Sequence, residues 1–274
     1  MLCLPNAQSL STNRASTYTR AQTMQAVPAE KRRSTSWTSG WHYKHWRTTF
    51  YPPNSPTREW LDLYSRHFNT VELNNVFYRF PSENAVKQWR QAAPEGFLFS
   101  VKASRFMTHR KKLTDSEESV KNLLDRISLL GPKLGPILFQ LPPRWRANPE
   151  RLAAFAEWLP RNEQDFVFEF RDASWHHDEV LRVLKEKNLS FCVHDWPEAK
   201  APPVITGRVA YIRLHGPHKA YAGKYTSAHL RPWIERIRLW QQQAERIFVY
   251  FNNDQEAFAV QNALQVKRAL RRAA

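Results

Sequence analysis

From Ser34 onward the chain alternates two hydrophobic patterns. Short runs rich in Val, Ile, Phe and Tyr are followed by segments whose apolar residues recur every three or four positions. The runs have strand length: Thr35 to Trp41, TVELN (70–74), FLFSVKA (97–103), PILFQL (136–141), Phe166 to Phe170, SFCVHD (190–195), VAYIRLHG (209–216) and RIFVYFNN (246–253). Most are apolar almost throughout, the mark of strands buried on both faces. Between them lie predicted helices with readable ends. Thr57 is the expected N-cap of a helix carrying Trp60, Leu61, Leu63, Tyr64 and Phe68, and Ser82 of one carrying Val86 and Trp89. Thr114 and Glu117 have capping-box spacing ahead of Val120, Leu123, Leu124, Ile127 and Leu130, a helix that Gly131 closes. Asn148 and Pro149 predict a helix to about Leu159, and Asp172 and Ser174 offer caps for the next. Further helices are expected around Pro232 to Ala244 and after Asp254.

Eight strand-like runs alternating with six or seven helices imply parallel strands with right-handed crossovers. Eight of them close into a single α/β domain, a (β/α)8 TIM-type barrel over residues 34–274. Pro197, Pro202 and Pro203 predict that the helix after the sixth strand is reduced or absent. A doubly wound open sheet is the competing architecture, but it would carry a glycine-rich phosphate fingerprint after its first strand. The 7 glycines form no G-x-G-x-x-G.

Residues 1–33 fit neither pattern. Rich in Ser, Thr, Gln and Ala, with five basic residues against Glu30 alone, they read as a disordered basic leader. Their composition fits a transit peptide or an over-extended start, and a secretory signal would need an apolar stretch that is missing.

The 274 residues suit one large α/β domain, and 42% hydrophobic content supplies its core. No apolar run approaches the roughly 18 residues of a membrane span. Cys3 and Cys192 form neither a disulfide framework nor a metal motif, so a reducing, cytoplasmic setting is expected. The net charge of +16 falls to +8 once the leader and the basic C-terminal tail, +4 each, are set aside, so the middle of the chain is still basic. It points to an anionic partner, a small molecule or a nucleic acid, although solvated helix faces also carry such charge.

In a barrel, the carboxyl ends of the strands converge on one mouth. Those ends carry Trp41, Glu72, Asn74, Lys102, Gln140, Glu169, Arg171, Asp195, Arg213, His215, Asn252 and Asn253, and the loops behind them add Tyr78, Trp196 and Tyr225. Charged residues set between apolar ones, as in VELN, FEFR and IRLHG, would cost several kcal/mol if buried unpaired. They form either a neutralising ring of ion pairs or a site. The aromatic wall of Trp41, Tyr78, Trp175, Trp196 and Tyr225 favours a site. In that reading Glu72, Glu169, Asp195 and His215 are the candidate catalytic groups, with the two glutamates as an acid/base pair. Trp41, Asn74, Tyr78, Lys102, Gln140, Arg171, Trp196, Arg213, Tyr225, Asn252 and Asn253 are the candidate substrate contacts. Arg171 and Arg213 suit an anion. Lys102 suits an ion pair or a phosphate, or a Schiff base if desolvated. His194 and Asp195 are neighbours on a strand, so one of them points outward. The histidines show no zinc-binding spacing, while a divalent metal on Glu72, Glu169, Asp195 and His215 stays open, and no cofactor is indicated.

Taken together, TSGWHYKHW with FYP, FNTVELN with FYRFP, LGPILFQLPP, FEFRDASW, HDWP, YIRLHG and YFNND resemble the YecE-like family, a domain of unknown function, in its own order over about residues 35–270. The resemblance implies a TIM-type barrel with its pocket at these strand ends, and no established reaction. The expected function is therefore a barrel enzyme of hydrolase or lyase type acting on an anionic, phosphate-bearing ligand such as a nucleotide or nucleic acid. A non-catalytic module binding nucleic acid or a metabolite, and a sugar-active hydrolase, are the alternatives.

Overall fold

A computed structural model describes residues 34–114, 117–160 and 164–271, and the leader lies outside the described residues. Eight parallel strands follow one another around a ring: β1 (Ser34–Thr38), β2 (Thr70–Leu73), β3 (Leu98–Lys102), β4 (Leu134–Gln140), β5 (Phe166–Glu169), β6 (Ser190–His194), β7 (Val209–Leu214) and β8 (Arg246–Phe251). β1 pairs with β8 in register Ser34 to Ile247, and only the bridge between Ser39 and Glu72 joins β1 to β2. The ring is thus a nearly closed barrel whose seam runs beside Glu72.

The helices pack outside: α1 (Trp60–Ser65), α2 (Asn75–Tyr78), α3 (Glu83–Ala92), α4 (Glu117–Ser128), α5 (Pro149–Ala156), α6 (Asp178–Glu186), α7 (Ser227–Trp240) and α8 (Phe258–Arg271). No helix joins β6 to β7, in keeping with the three prolines of that connection. Ser82 and Asn148 cap α3 and α5 by accepting from the Ala85 and Arg151 amides. Other ends differ from expectation. Thr57 lies inside a 3-10 turn, and α1 begins only at Trp60. Thr114 gives its hydroxyl to the Lys111 carbonyl. α7 starts at Ser227 rather than near Pro232, because Thr226 and His229 form a capping box. Asp254 makes no cap, since Glu256 takes φ 51 and interrupts the turn before α8.

Strand side chains alternate, so one parity on each strand faces the barrel axis. Across the axis the Tyr250 hydroxyl meets Thr70 at 2.9 Å and donates to Ser100 at 2.8 Å, which identifies the inward parity on β8, β2 and β3. Two residues further along each strand stand Asn252, Glu72 and Lys102, which the same parity turns inward at the carboxyl end. The other parity and the helices build an aromatic layer: Phe139 stacks on Phe168, Phe168 on Phe170, and Phe170 on Trp175. Trp175 is fully buried, so it belongs to this packing and not to a ligand wall.

The amino end of the barrel is tied differently. Asp165, just before β5, accepts from Arg208 at 2.9 Å and from Arg246, linking β5 to the starts of β7 and β8. Its carboxylate is buried while both arginines are partly exposed. Asp165→Asn should lower stability by about 1–3 kcal/mol, read from the midpoint of urea unfolding. An unmoved midpoint would mean that the clamp contributes nothing.

Candidate functional site

Arg213 on β7 is the centre of the carboxyl end. Its guanidinium donates to Glu169 on β5 at 2.5 Å and to Glu72 on β2 at 2.7 Å, with a longer 3.4 Å contact to Asn252 beyond β8. Both glutamates and Arg213 are essentially inaccessible to solvent. Glu72 also accepts from the Tyr211 hydroxyl at 2.7 Å and from Ser39, which in turn receives the Asn74 amide. Glu169 accepts a second charged bond, from Arg171 Nε at 2.7 Å. Although burial opposes ionisation of Glu169, Arg213 and Arg171 outweigh it and hold the carboxyl well below its usual range. Glu169 is therefore held as a carboxylate at neutral pH. The neutralising ion-pair ring and the convergent site are one arrangement here.

Both terminal nitrogens of Arg171 are engaged as well. It reaches the Tyr221 hydroxyl at 3.1 Å and His215 Nε2 at 3.2 Å, and its plane lies 3.9 Å over the Trp196 ring. Because Arg171 donates to Nε2, the His215 proton sits on Nδ1, 3.6 Å from Asp195. Burial holds the imidazole below its ordinary pKa, so it is neutral at physiological pH. Asp195 accepts from the His215 amide at 2.7 Å and from the Tyr225 hydroxyl, which accepts from the Gly216 amide at 2.6 Å. Gly216 takes φ +140, and a Cβ there would stand 2.3 Å from the Lys219 carbonyl oxygen. His194 turns away from this group, bonding the Phe170 carbonyl at 2.8 Å, and burial lowers its pKa to about 4.

Lys102 differs from its neighbours. It is 8% exposed, and no carboxylate lies within ion-pair distance of it among the described residues. Its ammonium rests 4.0 Å over the Phe77 ring. Burial first, and Arg213 second, push its pKa down to about 7, only partly opposed by Glu169 and Glu72.

The candidates from the sequence thus gather at one end, but they divide by situation. Gln140 bonds the Leu141 carbonyl, Asn253 holds Asn262 and the Gly223 carbonyl, and Tyr225 is 3% exposed, so these three brace the rim. Trp41, Asn74 and Glu72 line a cleft of about 350 Å³ with His42, Tyr43 and Trp89. Tyr78 is 77% exposed on the outer rim, apart from the charged centre. Glu72, Glu169, Asp195 and His215 are not grouped as metal ligands, and among the described residues no three His, Cys, Asp or Glu are. Sequence reasoning missed Ser39 as a Glu72 partner, and Tyr211 and Tyr221 as donors or acceptors of the network. The T-S-G turn and the inward parity of Tyr211 were the signals available for two of them. Six side-chain atoms at this end, Asn74 Oδ1, Trp196 Nε1, Arg213 Nε, His215 Nδ1, Asn252 Nδ2 and Asn253 Oδ1, are buried with hydrogen-bonding capacity that the protein leaves unused.

Residues 37–274 match the family described as "Protein of unknown function DUF72". The chain is 28% identical over 255 residues to the UPF0759 protein YunF of Bacillus subtilis, covering 81% of this chain and 90% of that one. It is 33% identical over 108 residues, 39% of each chain, to the UPF0759 protein YecE of Escherichia coli. Among solved structures, a DUF72 family protein from Thermotoga maritima superposes with a TM-score of 0.79 at 28% identity, covering 87% of this chain and 99% of that one. One from Enterococcus faecalis has a TM-score of 0.76 at 21% identity over 87% of this chain and 96% of its own, a likeness of fold. No described helix is long and apolar enough to cross a membrane.

Two predictions follow from the electrostatics. Glu169→Gln strips Arg171 and Arg213 of a shared buried anion and should cost about 3–5 kcal/mol, measured by guanidinium unfolding at neutral pH; a loss below about 1 kcal/mol would contradict the ion-pair geometry. Lys102 behaves in the opposite way. Between its folded pKa of about 7 and its ordinary 10.5, the unfolded chain binds a proton that the folded one has released, so stability rises with pH across that window. Below it the full penalty of burying the ammonium remains. Lys102→Met should raise Tm most at about pH 6 and progressively less toward pH 10, and a gain independent of pH would refute this.

Proposed function

The chain belongs to the DUF72 family of proteins of unknown function, and from the geometry of its barrel mouth we propose an enzyme that binds a small anionic, phosphate-bearing ligand and works on it by proton transfer. One observation carries this reading. Lys102 is a nearly buried cation with no carboxylate partner, beside two arginines whose charge is already spent on Glu72 and Glu169. Burying a lone ammonium is costly, and an arriving anion offsets that cost.

The roles follow from the bonding. Lys102 meets the anion and is the group that titrates near neutrality. Asn74, Asn252 and Trp196 offer their unused atoms to the ligand's polar groups. Glu169, held ionised, stabilises positive charge developing next to it, and Glu72 fixes the seam of the ring together with Ser39. Asp195 positions His215 through the backbone. Hydrolase or lyase chemistry suits these groups, and the arginines act as a scaffold for the mouth.

A second reading, a nucleic-acid strand on the rim, is favoured by a separate feature. Four of the five exposed large apolar side chains among the described residues, Tyr78, Phe80, Phe106 and Tyr221, stand in the connections that follow β2, β3 and β7. Arg79, Arg105, Arg110, Lys111 and Lys112 are interleaved with them, all exposed. Aromatic faces among cations are what stacking on an unpaired strand requires.

Calorimetric titration with inorganic pyrophosphate tests the first reading. The wild type should bind, Lys102→Arg should bind comparably, and Lys102→Met should bind at least tenfold more weakly; equal affinities in all three would overturn it. For the second, the affinity for a single-stranded oligonucleotide should fall steeply between 50 and 200 mM salt, and a salt-independent affinity would exclude the rim.

A further inference from the structure

We propose that Lys102 is a nucleophilic amine that forms a Schiff base with the carbonyl carbon of an aldehyde or ketone ligand bearing an anionic group. The inference deepens the small-ligand reading above and rests on it.

The geometry of the barrel mouth supplies the argument. Lys102 ends β3, and the parity shared with Ser100 aims it along the inner wall. It is partnered in the ladder by Leu138 of β4, so its backbone is held rigidly. The four oxygens of the two buried carboxylates are taken: those of Glu72 by Ser39, Arg213 and Tyr211, those of Glu169 by Arg171 and Arg213. No anion is left to fix the lysine as an ammonium, and its contact is the face of Phe77. The side chain keeps 8% exposure, which leaves the nitrogen approachable from the mouth. Burial and two guanidinium neighbours make the neutral amine a major form near pH 7. An ion-pair lysine would show the reverse pattern, with a carboxylate at hydrogen-bond distance and a raised pKa.

The step balances without a co-reactant. The amine lone pair adds to the carbonyl carbon, the carbonyl π bond opens, and the oxygen takes up the proton released from nitrogen, giving a carbinolamine. The carbon–oxygen bond then breaks, solvent supplies one proton, and water leaves an iminium whose positive charge replaces that of the ammonium. Glu169, held ionised in the same interior, partly offsets the repulsion that the arginines exert on that charge. An iminium withdraws electrons from the neighbouring carbon, which makes proton removal or carbon–carbon cleavage there accessible. The substrate class is thus an oxo acid or a phosphorylated carbonyl compound.

Glyoxylate, the smallest anionic aldehyde, is the probe. Full-length protein is incubated with glyoxylate and sodium cyanoborohydride at about pH 7.5, and carboxymethylated lysines are located by peptide mass spectrometry. Lys102 should be modified at least tenfold faster than any surface lysine, and its advantage should fall as pH is lowered to about 5.5. Lys102→Arg, which keeps the charge, should fold as the wild type does by circular dichroism and show no fast-labelled lysine. Labelling spread over surface lysines with Lys102 unmodified would overturn the proposal, as would a fast site that survives in Lys102→Arg. Pyrophosphate titration separates this from the broader reading: binding by a protein whose Lys102 is not labelled retains the anion site and removes the Schiff base, and selective labelling without pyrophosphate binding does the opposite.

Discussion

Arg213 reaches from β7 to the carboxylates of β2 and β5, and the organisation of the barrel mouth depends on that bridge. A guanidinium presents its donors in a fixed planar fork, so it can span two acceptors that the ring of strands sets apart. Two carboxylates and two arginines are thereby removed from water together. Each charge is compensated within a closed set, whereas the loss of any member would strand the others in an interior that screens poorly. Tyr211 and Ser39 complete the set by taking the remaining Glu72 lone pairs.

This closure has a chemical corollary. Groups that look like an acid/base pair in the sequence are committed to one another, with Glu169 held ionised by its arginines. The titratable group left near neutrality is the one outside the set, Lys102. Its low pKa comes first from burial and then from the arginines, which use the available anions and add their own repulsion. The same logic sets the neutral state of His215, whose ring is fixed by an arginine donor on one side and by Asp195 facing the other.

The rim and the interior obey different rules. Inside, polar atoms are paired or converge, and those with unused capacity, Trp37 Nε1 apart, sit at the carboxyl ends of the strands. On the rim, exposed aromatics alternate with arginines and lysines on connections that carry no burden of core packing. A recess of about 500 Å³ among Phe80, Phe106, Met107, Leu123 and Arg126 lies on this outer surface.

The order of the eight strands, the missing crossover helix before β7 and the end of the barrel that carries the charges were all legible in the sequence. Apolar runs of strand length and helical spacing are local properties, and a parallel ring leaves little freedom in how they are arranged. Caps were legible where the side chain acts on its own turn, as at Ser82 and Asn148, and misread where a nearby residue competed, as Thr226 does with Pro232. Tertiary structure alone decided the partners. That Trp175 packs beneath Phe170, that Glu169 faces two guanidinium groups and that Lys102 has no carboxylate within ion-pair distance depends on the tertiary fold, not on any local run of sequence. Charge type is written in the sequence, but ionisation is set by burial and by what lies within a few ångströms, and those quantities exist only once the ring has closed.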